Sequence, residues 1–128
     1  MTVANRGKQP TAADNAEAEV LPVDVETISV STDMVLAMQM ATSTREDMDG
    51  STSVILGHLN RLLVEDLGAA EDEKVHDLLH RGRKLVDYTN RPTAETPSFD
   101  AFIYLRDSAQ LTRRLLWIYT QHNRLGAP

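Results

Sequence analysis

Apolar positions along this chain recur at three- and four-residue steps in four blocks, the signature of amphipathic helices rather than strands. The clearest block is the last. From Ser98 to Arg124, Phe102, Leu105, Ala109, Thr112, Leu116 and Tyr119 form one row, and Tyr104, Leu111, Leu115 and Ile118 form a second beside it. Two rows cover about half the circumference, so this helix needs more than one neighbour. Ser98 is expected to cap its start, with Asp100 in the first turn and Gly126 beyond its end.

Three shorter blocks precede it. Asp24 is the expected N-cap of the first, with Val25, Ile28, Val35 and Met38 along one side. Its run of β-branched and serine residues, Thr27 to Thr32, lowers helix propensity and leaves room for a break near Ser31. The polar stretch Thr42 to Gly50 ends in Asp49-Gly50 and reads as a loop. A second helix is predicted over Ser51 to Leu67, with Ile55, Leu56, Leu59, Leu62, Leu63 and Leu67 on one arc and Gly68 as its stop. A third spans Glu71 to Thr89, with an acidic first turn and the row Val75, Leu78, Leu79, Gly82, Leu85, Val86. A glycine inside an apolar row costs about 1 kcal/mol of helix stability against alanine, and either a close helix crossing at Gly82 or a tolerated glycine at a neutral surface position accounts for it. Leu59 and Leu116 are predicted to be fully buried.

Residues 1–22 carry no such period and too few apolar side chains to offset the entropy of ordering, so they read as a disordered tail. Residues 23–126 then form a single helical domain. The predicted fold is all-α, a four-helix up-and-down bundle with a long C-terminal helix.

Charge is unevenly placed. Residues 1–50 hold nine acids against Arg6, Lys8 and Arg45, a balance of −6, whereas residues 51–128 hold ten of each sign. A neutral body lacks the dense cationic footprint of a nucleic-acid binder, which leaves a DNA-associated regulator as the weakest reading. There are no cysteines, which excludes disulfides, thiolate metal sites and cysteine nucleophiles. No apolar run approaches a membrane span and the start lacks a signal-peptide pattern, so no membrane association and a cytoplasmic location are expected.

No catalytic, metal or cofactor constellation stands out, and an enzyme is not the favoured reading. His76 and His80, with Asp72 one turn earlier, share a helix face, but a zinc site needs three or four ligands and no further donors are in evident register. His58, at the edge of the second helix's apolar arc, marks the one candidate pocket, and the bland alternative is a hydrogen-bonded, partly buried histidine. Arg81, Arg83 and Lys84 on the third helix, and Arg113 and Arg114 on the last, would form one patch only if those helices pack side by side. Trp117 falls outside both apolar rows of the last helix, on the side that carries Phe99, Ile103 and Arg113. Its ring either covers the bundle edge or anchors an interface, where tryptophan and arginine are enriched.

The segment Ile55-Leu56-Gly57-His58-Leu59-Asn60-Arg61-Leu62-Leu63, the start Pro22-Val23-Asp24-Val25-Glu26-Thr27 and the stretch Leu111 to His122 together resemble a family of small actinobacterial proteins of unknown function labelled as natural-product-biosynthesis proteins. The resemblance covers about residues 22–122. It places a Gly-His pair in the middle helix, as Gly57-His58 here, and implies neither a reaction nor a catalytic residue. The function expected from the whole reading is a non-enzymatic interaction or regulatory protein, a homodimer or the partner of another protein, acting through Phe99, Ile103, Arg113 and Trp117. The alternative is a small accessory enzyme or ligand-binding protein of secondary metabolism with a pocket near His58.

Overall fold

The computed structural model describes residues 22–126, so the reading of residues 1–22 as a disordered tail falls almost wholly outside the described residues. Those described form four α-helices and no strands: α1 (Val25–Ala37), α2 (Arg45–Leu63), α3 (Glu73–Val86) and α4 (Ser98–Gly126), with single 3₁₀ turns at Met40–Thr42 and Tyr88–Asn90. No helix among them is long and apolar enough to cross a membrane.

Local chemistry sets most of the boundaries. Asp24 caps α1 by accepting from the Thr27 backbone N–H at 3.1 Å. The helix runs unbroken through Ser31, because Ile28, Thr32 and Val35 are buried in succession and tertiary packing overrides weak propensity. The stretch expected to be a loop before residue 51 is instead the first turn and a half of α2. Thr44 and Asp47 close a reciprocal capping box, Arg45 pairs with Asp49 one turn on at 2.9 Å, and Met48 is buried. Gly50 is accepted within the helix because its position faces open space and carries no packing duty. At the other end α2 stops at Leu63 rather than Leu67. The chain then turns through Gly68, which adopts φ +83°, while the Asp66 carboxylate accepts from the Gly68 N–H. Asp72 caps α3 through Lys74, and Asp87 caps the following 3₁₀ turn through Thr89. Ser98 is the first residue of α4 rather than its cap, with the Pro97 carbonyl accepting from Ala101.

The helices run alternately up and down. Successive contacts of α4 fix this arrangement: Phe102 and Leu105 share a cluster with Met48 near the start of α2, whereas Gly68, just past the end of α2, lies against His122. Helices α2 and α4 are therefore parallel and make the central seam, with α1 and α3 antiparallel on its flanks. Ile55, Leu59, Leu62, Leu105 and Leu115 are fully buried along that seam, and Leu116 is buried as predicted. Small buried residues keep the crossings close: Ala101, Ser108, Ala109 and Thr112 on α4, and Thr32 on α1. The Thr32 and Thr112 hydroxyls donate to backbone carbonyls of their own helices, which lets them lie in an apolar interior. At Gly82 a β-carbon would stand 2.8 Å from a methyl of Leu63, so a side chain here would require Leu63 to shift.

A candidate interaction surface on the fourth helix

At about 100° per residue, Phe99, Ile103, Arg106, Gln110, Arg113 and Trp117 fall within one narrow stripe of α4. All six are exposed, including the three apolar members, with Phe99 and Trp117 each 60% accessible. The face opposite α2 is thus left uncovered by α1 and α3, which pack on either flank. Phe99 and Trp117 are about 27 Å apart along the helix at its usual rise, and Ile103 lies about 21 Å from Trp117. The stripe therefore has two apolar ends with arginine and glutamine between them.

The Trp117 end borders a cleft. Arg113, Arg114, Gln110 and Trp117 form the floor of a groove of about 670 Å³ whose sides are Leu36 at the end of α1 and Leu78 and Arg81 on α3. A second cleft of about 430 Å³ shares Leu78, Arg114 and Trp117 and continues past Val75 to Leu67 and Gly68 at the end of the bundle. Trp117 stands at the junction. Arg113 reaches Asp33 of α1 at 3.6 Å, a distance and exposure that give a weak, screened ion pair. Arg81 and Arg114 have no carboxylate partner among the described residues. The groove thus combines apolar walls with a surplus of positive charge.

Of the five basic residues weighed as one patch, Arg81, Arg113 and Arg114 meet in the groove, while Arg83 and Lys84 take no part in either cleft. The walls supplied by Leu36 and Leu78 escaped sequence reasoning. Leu78 was legible only as a core position of its own helix, and nothing local in sequence says that its edge also borders Trp117.

The remaining candidates form no comparable site. His58 is half-buried, with Nε2 3.1 Å from the Ser31 hydroxyl of α1. Burial lowers its pKa below the ordinary histidine value, an effect that the nearby Asp24 carboxylate only partly offsets, so the ring is neutral near pH 7. Ser31 borders a shallow cleft of about 350 Å³ between α1 and α2, lined also by Met34, Glu46, Asp47 and Val54, but His58 borders none of the clefts described here. A neutral imidazole against a serine hydroxyl has the elements of a base and a nucleophile. Asp24, however, is engaged by Thr27 through both oxygens, and among the described residues no third group hydrogen-bonds the ring. The pair reads as a tie between α1 and α2. His76 and His80 are exposed, Asp72 serves as a helix cap, and no group of three or more potential ligands able to hold a metal ion occurs among the described residues.

Comparison with known proteins supplies no relative: no family model, no curated protein and no solved structure matches this chain.

Proposed function

We propose that this chain is a non-enzymatic interaction or regulatory protein that works in the cytoplasm through the outer face of α4. The observation that carries this reading is the exposed stripe from Phe99 to Trp117, which ends in a groove with apolar walls and two arginines, Arg81 and Arg114, that have no carboxylate partner among the described residues. A helix that already has neighbours on three sides does not need a large indole on the fourth for stability. Exposed aromatic residues beside arginine are the composition of binding anchors.

A second copy of the chain is the first partner to test. In a two-fold antiparallel pairing of α4 with itself, Trp117 of one protomer would meet Phe99 and Ile103 of the other, which joins the two apolar ends that the monomer leaves apart. Multi-angle light scattering over a rising concentration series should then give the mass of a dimer, and Trp117→Ala should return it to a monomer. A monomer at every concentration, together with unchanged recovery of host proteins on immobilised Trp117→Ala, removes this reading.

The setting in natural-product biosynthesis is supported by the resemblance around Gly57-His58 and belongs to the same proposal. The reading as an accessory enzyme or ligand-binding protein draws on the Ser31 and His58 contact alone.

A further inference from the structure

The groove beside Trp117 gathers cations and apolar walls in one concave place. Arg81 of α3 and Arg113 and Arg114 of α4 line it together, and among the described residues no aspartate or glutamate lines it with them. Arg81 and Arg114 have no carboxylate partner among the described residues, and Arg113 reaches Asp33 only at 3.6 Å across an exposed edge. The walls at Leu36, Leu78 and Trp117 are apolar. The adjoining cleft differs, because it sets Glu71 and Asp72 against Lys74 and Arg114, so the surplus of positive charge belongs to the groove and not to its continuation. We infer that this groove binds a small amphipathic organic anion, an aromatic or short acyl body with one carboxylate head. The body lies against Leu36, Leu78 and the Trp117 indole, and the head is held by the guanidinium groups of Arg81 and Arg114.

Size and chemistry both fit that class. The groove's volume of about 670 Å³ falls within the range of small-molecule sites, roughly 300–1,000 Å³, in which apolar walls are joined by a few convergent polar groups. Three guanidinium groups around one groove repel one another, and an anionic head relieves that repulsion. A guanidinium also presents paired N–H donors whose plane matches a carboxylate, in charge-assisted bonds about twice as strong as neutral ones. A nucleic acid is the wrong occupant, since it needs a dense cationic track and not three cations among apolar walls. A bound ligand covers Trp117 and therefore competes with any partner that uses α4. That consequence rests on the proposed function, whereas the binding itself does not.

Trp117 is the sole tryptophan, so its indole N–H gives a single signal in the proton–nitrogen correlation spectrum of the full chain and reports the groove directly. The titration uses naphthoate, its cationic analogue naphthylmethylammonium, and inorganic phosphate. Naphthoate should move the indole signal saturably with a dissociation constant on the order of 1 mM, as expected for a ligand of its size. The cation keeps only the body and phosphate only the charge, so each should bind at least about tenfold more weakly. Arg81→Gln with Arg114→Gln should weaken naphthoate at least about tenfold. Arg83→Gln with Lys84→Gln removes the same charge from α3 outside the groove and should leave binding within about twofold. The remaining signals of each spectrum show that the variant is folded. Pairing through α4 would compete with the ligand, so each titration is run at two protein concentrations and the more dilute constant is taken. An indole signal that stays in place up to about 20 mM naphthoate overturns the inference. So does a cation or phosphate that binds as well as naphthoate, or an Arg81 and Arg114 variant that binds like the natural chain. The proposed function survives each of these results, since it fails only on its own test of mass and of partner recovery with Trp117→Ala.

Discussion

The two sides of α4 differ more than any two helices of this protein do. On the side facing α2, Leu105, Ala109 and Leu115 are wholly excluded from water; on the other, Phe99, Arg106, Arg113 and Trp117 lie open along the same length of backbone. The inner side is filled by small and branched residues in close contact, which is what a stable seam requires. The outer side holds the Phe99 and Trp117 rings with arginines between them, open to water and outside the packed core. One helix thus serves as the axis of the core and as a presented surface, and substitutions should separate the two roles.

The largest effects belong to the seam. Leu59→Ala or Leu116→Ala removes a buried side chain and should cost roughly 2–5 kcal/mol in denaturant unfolding, through lost transfer energy and the cavity left behind. A loss below about 1 kcal/mol at Leu59 would mean that the seam relaxes around the deletion and is not the rigid half of the comparison. At Gly82 the expected cost depends on size. Gly82→Val drives branched atoms into the space of Leu63, Leu111 and Leu59, and should destabilise by about 1–3 kcal/mol, whereas Gly82→Ala gains helix propensity that offsets part of its single tight contact. Parity of the two variants in thermal unfolding would contradict the close crossing.

At the rim of the bundle the effects are smaller. Thr44→Ala removes the side-chain half of the capping box and should cost about 1 kcal/mol, read as a lower denaturation midpoint at an unchanged slope. His58 gives a pH test. Its pKa is lowered in the folded state below the ordinary histidine value of 6.5, so the unfolded chain binds the proton more tightly and stability rises with pH through that range. The contribution is therefore complete above about pH 6.5 and is lost as pH falls toward and through the folded-state pKa. His58→Gln should flatten this part of the stability profile, and an unchanged slope would show that another group carries it. Trp117→Ala should be the mildest for folding, within about 0.5 kcal/mol of the natural chain, while on the proposed pairing it abolishes self-association. A large loss of stability there would make the outer face part of the core and collapse the comparison.

How far the sequence reaches differs between particular residues. The four helices, the Asp24 cap, the two rows of α4 and the burial of Leu59 and Leu116 are all consequences of spacing within a single segment, and they were legible for that reason. The start of α2 was also written locally, in Thr44 and Asp47, but Asp49-Gly50 gives the stronger breaker signal. Only the burial of Met48, a contact with α4 residues far along the chain, shows that the helix has already begun.

By itself, then, the sequence determined which residues of each helix seek the interior, because periodicity is a property of one segment and its geometry. Tertiary structure alone decided which surfaces meet. It set Gly82 against Leu63, tied His58 to Ser31, and brought Leu36, Leu78 and Trp117 to the lining of one groove. Those pairings join residues about thirty or more positions apart in most cases, and they follow from how four apolar faces close around one another to exclude water. No spacing rule within a helix contains that information. The groove on α4 therefore emerges only once α1 and α3 have taken their places beside it.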